Sequence, residues 1–142
     1  MKIQLKDWKV KEDAFNITDS EIQQEEKKKN SFSLGFGAFL IKEDNNQFGI
    51  GFDSTISDDE FILKVEMLFF FETDMLLEEN FINSSFAKIN APAIAFPYLR
   101  AFISNFTLQS GFDPVMLPSV NFVEFKNKDK EEESFDQSTK DE

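Results

Sequence analysis

The stretch Ile89–Phe122, INAPAIAFPYLRAFISNFTLQSGFDPVMLPSVNF, reads as an apolar helix with a narrow polar strip, a glycine stop and a proline-punctuated apolar run. An ordinary surface helix buries one stripe and exposes the rest. Here Ala91, Ile94, Ala95, Tyr98, Leu99, Phe102, Ile103 and Phe106 spread well beyond one stripe. The polar remainder, Arg100, Ser104, Asn105 and Thr107, gathers mostly on one side. A chain of 142 residues has little interior in which to hide such a helix. It is therefore predicted to pack both on its own sheet and on a second copy of the chain, through Ile94, Tyr98, Leu99, Phe102, Ile103 and Phe106. Asn90 suits an N-cap, and Pro92 falls in the first turn, where its missing N–H costs little. Pro97 cannot bond the carbonyl of Ala93, which predicts a kink. Gly111 ends the helix.

Working back from the helix, the chain reads as strands. Lys2–Val10 alternates with one shift near Asp7, as a strand with a bulge would. Ser31–Lys42 alternates through Phe32, Leu34, Phe36 and Ala38, with Gly35 and Gly37 opposite, which suggests close packing or strong twist on that face. Asn45-Asn46 reads as a hairpin turn built on left-handed conformations. Phe48 to Ile56 returns, Asp58-Asp59 turns again, and Phe61 to Phe71 forms a third long strand of the meander. Asn16–Asn30 reads as a polar crossover, and Asp74–Phe86 as an irregular connection with a short helical turn. The fold class is α+β: a four-stranded antiparallel sheet packed with one long kinked helix. Residues 1–125 form one domain, and 126–142 are charged, aperiodic and read as a disordered acidic tail.

Composition narrows function. The net charge is −12 and there is no basic stripe, which argues against nucleic acid and against anionic membrane surfaces. No segment reads as a signal peptide or a membrane span, so a cytoplasmic protein is expected. Cysteine and histidine are both absent, which removes thiol and imidazole catalysis and most zinc sites. Asp58-Asp59-Glu60 and Glu78-Glu79 lack the ligand series and glycine of a calcium loop. The Gly-x-Gly pairs at 35–37 and 49–51 lie inside strands rather than between a strand and a helix. No catalytic residue, metal site or cofactor is expected, and no enzyme. Against this acidity stand 19 phenylalanines. They fill a core, or some line an exposed apolar surface that marks binding.

Asn90, Pro92, Ile94, Phe96-Pro97-Tyr98, Arg100 and Ile103-Ser104, with the later Pro118, Val120, Asn121 and Phe122, resemble the central helix and following element of the bacterial export chaperone SecB family. The resemblance implies subunits that pair through a strand and the central helix into dimers, then into a tetramer. It also implies grooves that hold extended, unfolded clients. Three features depart from the family. The crossover here offers only Ile17 and Ile22 where the family places aromatics. Charged tail follows Phe125 where a second helix usually follows. Of the acidic residues that dock the export motor SecA, Glu12 is kept, while Asn16 and Lys64 stand where others would be.

The function implied is an ATP-independent holdase for unfolded or precursor polypeptides. The alternatives are a dedicated chaperone of one partner, such as an antitoxin, and a purely structural homo-oligomer. The client groove is expected beside the helix, walled by Phe81, Phe86, Phe112, Val115, Leu117 and Phe122, with Ile17 and Ile22 closing over it.

Overall fold

A computed structural model describes residues 1–18, 30–125 and 130–134. Four long strands, β1 (Ile3–Ile17), β2 (Ser31–Leu40), β3 (Gln47–Ser57) and β4 (Phe61–Thr73), and a short β5 (Lys130–Ser134) form one antiparallel sheet in the order β1-β4-β3-β2-β5. The β2-β3-β4 meander agrees with the alternation in the sequence. β1 continues to Ile17, past the predicted end at Val10, and carries two register shifts, at Leu5/Asp7 and Val10/Glu12. The expected structureless tail is replaced over Lys130–Ser134 by β5 on the edge of β2. The rest of that tail, and residues 19–29 of the crossover with Ile22, lie outside the described residues.

The turns are held by side chains and carbonyls rather than by unusual backbone. Among the described residues no residue other than glycine has a positive φ, so the left-handed Asn45-Asn46 turn expected from the sequence does not form. The two asparagines contribute carbonyls instead. Asn46 O accepts from Thr73 N at 2.8 Å, and Asn45 O from Leu77 N at 2.6 Å, which ties this turn to the end of β4. At the other end of the sheet, the Asp58 carboxylate accepts from the backbone N–H groups of Glu60 and Phe61 at 2.8 and 2.9 Å. Such a side-chain turn lets β3 reverse without glycine.

One face of the sheet makes the core. Phe48, Ile50, Phe52 and Ile56 of β3 and the odd-numbered residues of β4 from Phe61 to Phe71 are buried there, with Phe32 and Leu34 of β2. Over this face runs α1 (Ala91–Gln109), which is reached through a 3-10 turn at Glu79–Asn83 and a wide π turn at Phe86–Asn90. The expected Asn90 cap is therefore absent: Asn90 is already helical and makes no capping hydrogen bond. Ala91 N–H reaches back five residues to Phe86 O, and this wider turn comes just before Pro92, which has no N–H to donate. Ala87, Ala91, Ala95, Leu99, Ile103 and Thr107 are fully buried, a stripe with a residue at every fourth position. Such a stripe rotates about 40° per step on an α-helix of 3.6 residues per turn. Its last member, Thr107, is met by the returning chain rather than standing in the predicted polar strip. The Thr107 hydroxyl donates to Ile103 O at 2.9 Å and accepts from Val115 N at 2.9 Å. Gly111, at φ 96°, closes the helix with Gly111 N–H on Leu108 O and Phe112 N–H on Thr107 O. A single turn, α2 (Phe122–Phe125), then packs on β2 through Phe36, with ring centroids 5.3 Å from Phe122 and 4.9 Å from Phe125.

The other face of the sheet is uncovered among the described residues. Gly37 and Gly51 are paired there, and Phe39 folds its ring across Gly49 to meet Phe70 edge-on at 6.2 Å. Among the described residues nothing approaches the position of a side chain at Gly37, so close packing within the described chain does not account for its small size. The result is an open trough of about 730 Å³ bordered by Leu68, Phe39, Asp53, Glu66 and Lys11.

Candidate functional site

Half of the apolar helix remains in solvent. Ile94 and Tyr98 are 40% and 43% exposed, Ala93, Pro97, Ala101 and Leu108 are also exposed, and Phe102 and Phe106 are half-buried. Arg100 is the only charged residue in α1. This helix surface continues onto the edge strand. Trp8 and Val10 pair with Phe69 and Met67, so they lie on the helix side of the sheet, yet Trp8 is 45% exposed. The Trp8 ring stands 4.7 Å from Tyr98 and 6.4 Å from Phe69. A continuous apolar surface therefore runs from β1 across Tyr98 to Ile94. Contiguous surfaces of this kind mark sites of association or binding.

Of the interface residues predicted from sequence, Ile94 and Tyr98 lie on that surface, and Phe102 and Phe106 border it. Leu99 and Ile103 do not. They are fully buried in the subunit's own core, because the buried stripe on α1 passes through them. Trp8 and Val10 were missed. Their alternation was visible, but how far a helix overhangs an edge strand is a tertiary property.

The predicted client groove is largely closed. Phe81, Val115, Leu117 and Phe122 are buried, and they carry the packing of the loops onto the sheet. Phe81 meets Phe48 edge-on at 4.8 Å, and Phe122 sits 5.8 Å from Phe96. Phe112 is half-buried against Phe61 at 5.0 Å and Phe15 at 5.7 Å. Of the described groove residues, only Phe86, 36% exposed and stacked over Phe81, and Ile17, 70% exposed at the end of β1, present substantial surface. Between α1 and the returning chain a cavity of about 220 Å³ remains, lined by Pro97, Arg100, Ala101, Ser104, Val115, Met116 and Leu117. Exposed Met75, Leu76 and Met116 were not singled out in the sequence, since isolated apolar residues in loops give no periodic signal.

Glu12 is exposed on the opposite face, in register with Glu66, which in turn pairs with Asp53. Glu66 also forms an ion pair with Lys11 at 3.2 Å. Among the described residues no group of carboxylates is placed to hold a metal ion, and no helix is long and apolar enough to cross a membrane.

The family model "Preprotein translocase subunit SecB" matches residues 1–133. The chain belongs to the SecB family. It is 29% identical over 131 residues to the protein-export protein SecB of Orientia tsutsugamushi, covering 87% of this chain and 80% of that one. A shorter stretch of 60 residues is 45% identical to an uncharacterized protein of Methanocaldococcus jannaschii. That match covers 42% of this chain but only 37% of the archaeal protein. Among solved structures, the SecB-like chaperone of Mycobacterium tuberculosis, in complex with an antitoxin peptide, superposes with a TM-score of 0.63 at 14% identity. It covers 84% of this chain and 90% of that one. A protein of unknown function from Streptococcus agalactiae gives a TM-score of 0.53 at 16% identity, over 84% and 98% of the two chains. The sheet of four long strands under one long helix is thus a SecB fold.

Proposed function

We propose that this protein is an ATP-independent holdase that binds non-native polypeptides and self-associates through the exposed side of α1 together with β1. The observation that carries the proposal is the continuous Trp8–Tyr98–Ile94 surface on a chain of the SecB family. Burying each large apolar side chain stabilises an assembly by about 1.5–3 kcal/mol. A tetramer, made as a dimer of dimers, covers both the helix surface and the edge of β1. Clients are gripped by apolar side chains and free backbone groups, which unfolded chains expose in common, with Phe86, Phe112 and Ile17 as the predicted contacts that keep some surface. A role in protein export is supported by the similarity to protein-export proteins, and a cytoplasmic location and docking of a SecA-type motor on the face that carries Glu12 are the finer parts of the same proposal. Native mass spectrometry, with and without a polypeptide kept unfolded by reduction and carboxymethylation, tests it. A tetramer that takes up the polypeptide is expected; a chain that remains monomeric at micromolar concentration and binds nothing overturns it.

A second reading is favoured by one observation, the antitoxin peptide held by the mycobacterial structural neighbour. In that reading the chain guards a single partner. Affinity capture separates the two, since a holdase for export returns many precursors and a dedicated chaperone returns one protein.

A further inference from the structure

The two edges of the sheet are protected by different means. A free edge offers unpaired N–H and C=O groups to any extended chain, and natural sheets guard it with charge, proline, bulges or cover. The β1 edge guards itself: it carries Lys6, Asp7, Lys9, Lys11, Glu12 and Asp13 and two register shifts. The β2 edge has none of these. Ser31–Leu40 contains no charged residue and no proline, and it pairs with β3 in unbroken register. Its only cover among the described residues is β5, which pairs Lys130–Ser134 with Gly35–Ser31.

That cover is poorly suited to the place. The sequence of β5, Lys-Glu-Glu-Glu-Ser, has no β-branched or aromatic residue, the types that favour a strand. Beside it on β2, the backbone of Ser33 is in register with Glu132, and its buried hydroxyl has no hydrogen-bond partner among the described residues. Among the described residues only half of the edge is taken, since β5 pairs with Ser31–Gly35 and not with Phe36–Leu40. Yet the segment is delivered efficiently. Phe125 is fixed 4.9 Å from Phe36, and Lys130, five residues further on, lies opposite the adjacent Gly35. A short tether of this kind gives a weak strand a high effective concentration.

We propose that Lys130–Ser134 is a displaceable placeholder, holding the β2 edge until an extended non-native polypeptide with alternating apolar side chains takes it. The inference rests on the holdase reading and adds its regulation. An incoming strand would put its apolar side chains beside Phe32, Leu34 and Phe36, on the core side of the sheet, whereas the sequence of β5 contains no apolar residue. Addition of a strand to a sheet edge supplies affinity through the backbone and selectivity through alternate side chains. A placeholder that occupies the edge most of the time weakens apparent client affinity by the inverse of the free fraction.

The test compares the full chain, a chain ending at Phe125, and the double variant Glu132→Pro/Glu133→Pro. Adjacent residues in a strand point their N–H groups to opposite sides, so the double variant removes whichever donor faces β2. Binding of a fluorescent, reduced and carboxymethylated polypeptide is read by anisotropy, and amide exchange is read at Ser31–Gly35. The expected result is a Kd about three- to tenfold lower in both altered chains. Exchange at Ser31–Gly35 should be faster than in the full chain without client and equally slow with it. Equal affinity and equal exchange in all three chains overturns the placeholder while leaving the holdase reading in place. Loss of binding in the full chain and both altered chains overturns the holdase reading, and this inference with it.

Discussion

Phe52 and Tyr98 are aromatic residues on the same side of the sheet, yet they meet opposite surroundings. Phe52 lies at the centre of β3 with the rings of Phe36, Phe69, Phe96 and Phe122 all within 6.2 Å, and it is wholly buried. Tyr98 lies on α1 at the overhang above β1, leaning on Trp8 and Phe69 with nearly half its surface in solvent. Aromatic content therefore carries two roles here. In the interior the rings close the fold. At the rim they leave it open to a partner.

Substitutions that separate these roles should differ most in what they destroy. Phe52→Ala empties a space among packed rings, a change that costs about 3–5 kcal/mol. The expected outcome is loss of the cooperative urea transition or a large fall in its midpoint. A midpoint close to the wild-type value would mean that the interior is looser than its packing suggests. Trp8→Asp combined with Tyr98→Asp should do the reverse. In the proposed interface each would be an anchor of the kind worth about 2 kcal/mol or more. Light scattering should report a smaller species while the far-UV spectrum is kept; an unchanged mass would place the interface elsewhere.

Between these extremes lies Thr107, where the inner stripe of α1 meets the returning chain. Thr107→Val keeps the shape and removes the acceptor for Val115 N, and a buried donor left alone costs about 1–3 kcal/mol. Thermal melts should show a moderate fall with assembly intact. The smallest effect is expected at Asp74, outside both regions. Its carboxylate accepts from Lys2 N at 2.8 Å, and this bond, with the nearby amino terminus, holds its pKa below the usual carboxylate value against some desolvation. A lowered pKa adds stability above the unfolded-state value, and that stability is lost as pH falls through the folded value. Asp74→Asn should therefore melt slightly below wild type at neutral pH and converge with it in acid. A gap that widens in acid would reverse the sign.

The strands and the helix were legible because period-2 and near-3.6 patterns survive in the sequence. Phe48 to Ile56 and Phe61 to Phe71 could be read almost residue by residue. What failed were properties set by distant parts of the chain. Asn90 has the chemistry of a cap, but the π turn before Pro92 starts the helical path earlier, at Phe86. Leu99 and Tyr98 are neighbours of similar apolar character, and only the direction from which the sheet approaches makes one buried and the other exposed. Phe81, Val115, Leu117 and Phe122 carried no sign that the irregular segments holding them would fold down onto the sheet. The partner of β2's edge was hidden for a simpler reason, since nothing in Lys-Glu-Glu-Glu-Ser favours a strand.

The trough on the open face has a practical use. The Phe39 ring stands where a side chain at Gly49 would go, while among the described residues nothing meets a side chain at the neighbouring Gly37. The chain has no native cysteine, so Gly37→Cys would supply a single thiol for a fluorophore or spin label. A probe there would stand on the side of the sheet away from α1, able to report client arrival without touching the rings of the core or the rim at Trp8.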